Sequence, residues 1–275
     1  WSNPLVLVPV IPFALLPLEH ARELYLIFAF FVPLAASDIF CRAYIYHQPR
    51  MLRSLPALAV FFSPFLLACY AAFTGSMTPF ALAALCVLFA WHAKHPFLAG
   101  AVFTVSLLRA HQLLPVYAAV LGYTLAYRRF RLIAGLSAGL LVSCAVVLAF
   151  QPQAFTMYLL MLRVDEAPRI LTGITNASLP SALGHFFQLK HPAVLLAPSA
   201  VFSVLIFWQS LKAKQLAVFS PSFNMLLCLM LAPYLWAHDY LQAAPVYGAL
   251  YAALAFSQDN SGPRSLRKSS SLLLI

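Results

Sequence analysis

Apolar residues in this chain do not alternate with polar ones; they come in long runs separated by short polar or basic intervals. The runs are Leu24–Cys41, Leu55–Phe73, Pro79–Trp91, Phe97–Ala110, Leu113–Tyr127, Leu132–Phe150, Ala193–Ser210, Leu216–Leu231 and Tyr240–Phe256. Their lengths approach what a helix needs to cross a hydrocarbon layer, with tilt allowing for the shorter ones. The pattern predicts an all-α polytopic membrane protein of about nine transmembrane helices, occupying residues 1–256, with a Ser/Arg/Lys tail over 257–275. Ahead of the first run, residues 3–18 are apolar but interrupted by Pro4, Pro9, Pro12 and Pro17, which predicts a re-entrant or interfacial segment. Glu19, His20, Arg22 and Glu23 then form a polar lip.

One interruption stands inside an apolar stretch. Between Phe97 and Tyr127 the segment Arg109-Ala110-His111-Gln112 introduces a guanidinium, an imidazole and an amide, followed by Pro115. Proline cannot continue a regular helix without freeing a carbonyl, so the stretch is expected to break into two short helices with the polar cluster at the turn. A charge against hydrocarbon costs several kcal/mol and survives where it faces a wet or protein-lined cavity. That makes Arg109 the first functional candidate; the alternative is that Arg109 snorkels to a headgroup and His111 caps a helix end.

The polar intervals carry an orientation. Arg42, Arg50 and Arg53, then Lys94, then Arg128, Arg129 and Arg131, then Lys212 and Lys214, and lastly Arg264, Arg267 and Lys268 all fall on one side if the runs cross alternately. Cytoplasmic loops carry that excess. Gly75, Arg109, the long interval Gln151–Pro192 and Trp236-Ala237-His238-Asp239 all fall on the other side, outside the cytoplasm.

Composition sharpens this picture. Of 275 residues, 63% are hydrophobic and 9% charged, far below the roughly 25% of ordinary globular chains. The net charge of +10 sits at the ends of apolar runs, so it sets orientation, with anionic lipid phosphate as counter-charge, and gives no reason to expect nucleic acid as a partner. The 20 prolines suit broken helices lining a cavity. Five cysteines lie scattered without CxxC spacing, and His92-x-x-His95 lacks both helical-zinc spacing and a nearby acid, so neither a disulfide framework nor a metal site is expected. No phosphate-cradling glycine loop and no GxSxG occurs. Gly135-x-x-x-Gly139 has the spacing that lets two helices approach closely, which is a packing role.

Two further clusters share the Arg109 side. In Pro233-Tyr234-Leu235-Trp236-Ala237-His238-Asp239, His238 could donate to a phosphate oxygen, although adjacent helical residues point about 100° apart and Asp239 need not touch it. The rings could equally be interfacial belt residues. In Asn176-Ala177-Ser178-Leu179-Pro180, Ser178 ahead of Pro180 is also an ordinary helix N-cap. Only seven acids exist. Asp38 lies toward the cytoplasmic end of its run, and Asp165 and Glu166 sit beside Arg163 and Arg169; Asp239, Glu19 and Glu23 remain as possible bases.

These motifs together resemble glycosyltransferase family 87, polytopic enzymes of the GT-C type. Asn3-Pro4 with its proline-rich run resembles that family's Asn/Tyr-Pro-Pro segment, and Gly75-Ser76 stands where the family has Gly-Gln. Arg109-Ala110-His111-Gln112 is similar to its Lys-Pro-Gln element, Asn176-Ala177-Ser178-Leu179 to its Asn-Gln-Ser-Leu, and Pro233-x-x-Trp236-x-His238 to its Pro-x-Ser-Trp-x-His. The resemblance implies transfer of a hexose, often mannose, from a polyprenyl-phosphate sugar to a lipid or glycan acceptor outside the cytoplasmic membrane, with no cofactor. It would assign Arg109 and His238 to the donor phosphate, and Gln112 and Asn176 to donor or acceptor hydroxyls. His111, Ser178, Ser76, Trp236 and Asp239 complete the expected substrate-binding set. Fixed cationic donors suit an anionic leaving phosphate.

The departures from the family pattern are Ser76 for Gln, Arg109-Ala110 for Lys-Pro and Ala177 for Gln. The family's catalytic Asp lies in a loop upstream of the Asn-Pro segment, so the resemblance implies a chain that lacks its first span and catalytic loop. A secondary transporter of an anionic solute, or a non-catalytic lipid-binding subunit, are the competing readings; two pseudo-symmetric halves, which a transporter commonly shows, are not visible.

Overall fold

The computed structural model describes residues 7–44, 76–110, 112–162, 178–188, 192–212 and 228–232. Among these every regular element is helical. The helices are α1 (Leu7–Ala14), α2 (Leu18–Tyr44), α3 (Thr78–Trp91), α4 (Pro96–Phe103), a 3-10 segment (Thr104–Arg109), α5 (Leu114–Tyr127), α6 (Phe130–Phe150), α7 (Ala154–Leu162), α8 (Leu179–Phe186) and α9 (Pro192–Lys212).

Two helices, α2 and α6, are long and apolar enough to cross a membrane by length and composition. At 1.5 Å per residue α6 alone is ~31 Å long, against a hydrocarbon core of about 30 Å. Both leave most of their surface outside the protein core, and on α6 that surface includes Leu140, Leu141, Val142, Leu148 and Phe150. Four shorter apolar helices occur at Thr78–Trp91, Pro96–Leu107, Leu114–Tyr127 and Leu196–Lys212. The expected runs 55–73 and 240–256, most of 216–231, and the tail lie outside the described residues.

Proline and glycine set the boundaries. Pro79, Pro96, Pro115 and Pro180 each stand in the first two positions of a helix, where a missing N–H costs nothing. Pro115 therefore begins α5; it does not interrupt a longer one. The arm before it is not one α-helix, as the sequence suggested. It tightens after Phe103 into the 3-10 segment, beyond which Gln112 N donates to Arg109 O at 3.0 Å. Glu19, His20, Arg22 and Glu23 form the exposed first turns of α2, not a separate lip. The interval 151–192 contains α7 and α8, helices too short to show a periodic signal.

The helices alternate in direction. α3 descends from Ser76 to His92, α4 and the 3-10 segment return from His95 to Arg109, α5 descends again to Arg128, and α6 returns. α2 runs parallel to α3: Tyr25, near its start, bonds to Ser76, and Phe40, near its end, faces Phe89 with ring centroids 6.3 Å apart. α9 runs parallel to α5, since Gly122 lies against Phe207 and Ser210 near both C-terminal ends. The core is centred on α3, whose residues 81–90 are all buried, and is completed by Phe103, Leu113, Val116, Ala119, Leu132 and Ile206.

The tightest contact joins α4 to α6. A Cβ added to Gly135 would stand 2.8 Å from the Phe97 carbonyl carbon, and one on Gly100 would stand 2.8 Å from Leu136 N. Thr104 Oγ1 donates across the same seam to Leu136 O at 3.1 Å. The Gly135-x-x-x-Gly139 spacing thus serves close packing, with Gly100 as its unforeseen counterpart.

Candidate functional site

The alternation gathers unlike chemistry at the two ends of the bundle. At one end lie the turns His92–His95 and Arg128–Arg129, with Lys212 at the end of α9. Arg129 Nη1 donates to Ala93 O at 2.8 Å, tying these turns together. Arg128 caps α5 in the left-handed region, with φ 53°, and its N–H bonds to Thr124 O. His92 shares a 2.8 Å hydrogen bond between Nδ1 and Phe89 O, and its ring meets Tyr123 edge-on at 5.5 Å. Burial holds the His92 pKa below its ordinary value; the bonds to Phe89 and Leu88 oppose that shift, and the nearby Arg129 charge adds to it.

The opposite end carries the predicted cluster. Arg109, half-buried at the end of the 3-10 segment, extends to the start of α3, where Nη2 donates to Ser76 Oγ at 2.8 Å. Ser76 is 7% exposed. Its hydroxyl also accepts from Thr78 N at 3.3 Å and lies 2.8 Å from Thr78 Oγ1. A serine oxygen has two lone pairs and one proton. With both lone pairs taken by Arg109 and Thr78 N, the Ser76 proton points to Thr78 Oγ1. The backbone oxygen of the same serine accepts from Tyr25 Oη at 2.6 Å. Ser76 therefore joins α2, α3 and the 3-10 segment at one residue.

The break is braced on its other side. Ser106 Oγ donates to Phe103 O at 2.6 Å and lies 2.6 Å from Tyr117 Oη. Because the one Ser106 proton is engaged, Tyr117 is the donor to Ser106. The Phe103 and Tyr117 rings pack with centroids 4.9 Å apart, so α5 is pinned to the 3-10 segment through both a polar and an apolar contact.

Electrostatically, the guanidinium stands beside the start of α3, while the Arg109 backbone oxygen accepts from Leu113 N just ahead of the start of α5. Each start carries a partial positive charge, and neither first turn contains an acidic residue. A cation beside a positive helix end is an arrangement that an anionic group stabilises. The Glu19 and Glu23 carboxylates, on the opening turns of α2 at the same end, are exposed.

Of the residues expected at the site, Ser76 and Arg109 come together here, and the Gln112 backbone N–H bonds to Arg109 O. Gln112 is fully buried one turn past Arg109. Ser178 is elsewhere in role: it is 1% exposed and caps α8, its Oγ accepting from Ser181 N at 3.3 Å, and α8 packs on α9. His111, Asn176, Trp236, His238 and Asp239 lie outside the described residues. Tyr25, Thr78, Ser106 and Tyr117 were not anticipated. A hydroxyl within an apolar run was the available signal, but each also fits an ordinary core or belt position. Among the described residues no group of three or more His, Cys, Asp or Glu side chains could hold a metal ion. No protein-family description matches this chain, and no characterised protein or solved structure matches it either.

Proposed function

We propose that this chain is a polytopic membrane glycosyltransferase of the GT-C type, with about nine spans, lying in the cytoplasmic membrane with its Arg109 end outside the cytoplasm. It transfers a hexose, mannose by the resemblance, from a polyprenyl-phosphate sugar to a lipid or glycan acceptor. The observation that carries this reading is the Arg109 guanidinium held by Ser76 beside the acid-free start of α3, at the end away from the clustered basic turns. A lipid-linked phosphate is an anion that a bilayer presents. In the reaction the acceptor oxygen displaces the phosphate from the anomeric carbon with inversion, and the negative charge that grows on the phosphate is stabilised by Arg109, with His238 as second donor. Gln112 and Asn176 meet sugar hydroxyls, and Trp236, Asp239 and His111 complete the expected pocket.

The test is hexose transfer in membranes holding the full-length protein, supplied with labelled polyprenyl-phosphate hexose and native lipids. Arg109→Ala should lower kcat/KM for the donor by at least a hundredfold, since a half-buried charge-assisted contact to a developing anion is removed. Undiminished transfer by Arg109→Ala would refute the assignment. One feature favours a second reading: a half-buried arginine at a broken helix also suits a transporter of an anionic solute. Solute flux in proteoliposomes without any sugar transfer would select it.

A further inference from the structure

Arg109 does not reach its position unaided, because a long flexible side chain on a short 3-10 segment has many rotamers to lose. Two bonds in series restrict it: Tyr25 Oη to Ser76 O at 2.6 Å, and Arg109 Nη2 to Ser76 Oγ at 2.8 Å. Tyr25 is itself held by rings, with Phe13 of α1 at 6.0 Å edge-on and Phe80 of α3 at 6.0 Å. Ser76 lies just ahead of α3, where its backbone is not held by the helix ladder. The Tyr25 bond supplies that restraint from α2, 51 residues away in sequence. We infer that Tyr25 is a positioning residue that acts through Ser76 to aim the Arg109 guanidinium at the donor phosphate.

This rests on the proposed transferase reading for its functional consequence but not for its geometry, so two readouts separate them. The full-length protein in lipid nanodiscs is compared with Tyr25→Phe, Ser76→Ala and the double variant. Tyr25→Phe removes one oxygen and keeps the ring contacts, so its fold is retained. The first readout is the rate at which a guanidinium-selective dicarbonyl reagent, phenylglyoxal, modifies Arg109, followed by peptide mass spectrometry. Ser76→Ala should raise that rate roughly tenfold, the loss expected for one hydrogen bond to a charged group. Tyr25→Phe should raise it by a smaller factor, and the double variant should react no faster than Ser76→Ala, because Tyr25 acts only through the Ser76 hydroxyl. The second readout is the KM for polyprenyl-phosphate hexose, which should rise in the same order.

Unchanged Arg109 reactivity in Tyr25→Phe, whatever Ser76→Ala does, or additive effects in the double variant, would overturn the inference. If the wild type transfers hexose while Arg109 reactivity stays constant across the series, the positioning claim falls and the transferase reading stands. If reactivity shifts as expected but no hexose moves, the positioning claim stands and the transferase reading falls.

Discussion

Replacing Gly135 by alanine perturbs the seam on which the whole bundle end depends. The new Cβ would lie 2.8 Å from the Phe97 carbonyl carbon and 3.0 Å from Ala101 N, with the Phe97 carbonyl oxygen closer still. These are backbone atoms of α4 that cannot swing aside as a side chain would. The helices must separate, weakening the Gly100 contact, the Thr104–Leu136 hydrogen bond and the dispersion between them. Overpacking of this kind costs about 1–3 kcal/mol and more when backbone must move, while alanine returns ~0.5–1 kcal/mol of helix propensity. A net loss of about 2 kcal/mol is expected, worth about 4–8 °C in melting temperature for a chain of this size. Gly139→Ala, whose Cβ meets the Thr104 side chain and Ala101 O, should be milder if Thr104 can rotate. Thermal unfolding of the purified protein in detergent, followed by loss of monodisperse elution, reads the effect, with Ser137→Ala on the exposed face of α6 as control. A Gly135→Ala protein as stable as wild type, or stabilised by the propensity gain, would refute the close approach.

Two other outcomes follow from the described geometry. His92 has a folded pKa lowered below its unfolded value, so the unfolded chain binds the proton more readily; stability should fall as pH drops below about 6.5 and level off once the folded pKa is passed. Melting temperature against pH should show that slope in the wild type and a flatter one in His92→Asn, and equal slopes would contradict it. Ser178→Ala should cost about 1 kcal/mol as a lost N-cap, with Ser178→Asp largely restoring it. A melting temperature unaffected by Ser178→Ala would remove the capping role.

What the sequence disclosed is local. α3, the arm pair around Arg109, α6 and α9 follow from uninterrupted apolar runs bounded by proline or by basic residues, because span length and backbone satisfaction leave few alternatives. Arg109 itself was legible for the same reason: a guanidinium among apolar residues needs a partner. The identity of that partner was not. Ser76 and Tyr25 are far from Arg109 in sequence, and nothing in Gly75-Ser76 or Leu24-Tyr25 says that the helices carrying them meet at one end. Ser76, expected to meet substrate where the family resemblance has glutamine, accepts a hydrogen bond from Arg109. The 3-10 stretch Thr-Val-Ser-Leu-Leu-Arg has no composition that distinguishes it from an α-helix; Thr104 and Ser106 bond outward to Leu136 O and Tyr117, contacts only the packed bundle supplies. α7 and α8 were hidden because nine and eight residues respectively are too few for a periodic signal.

The central claim is that a lipid-linked phosphate docks at the Arg109 end and not at the opposite, basic turns. A polyprenyl phosphate carrying a diazirine next to its phosphate, photolysed with the full-length protein in lipid nanodiscs, reads this directly by mass spectrometry of the labelled peptides. The account predicts labelling of the segments around Ser76–Phe80 and Arg109–Leu114, competed away by unlabelled polyprenyl-phosphate hexose and lost in Arg109→Ala. Competable labelling confined to Lys94–His95 and Arg128–Arg131, or labelling indifferent to Arg109, would contradict it.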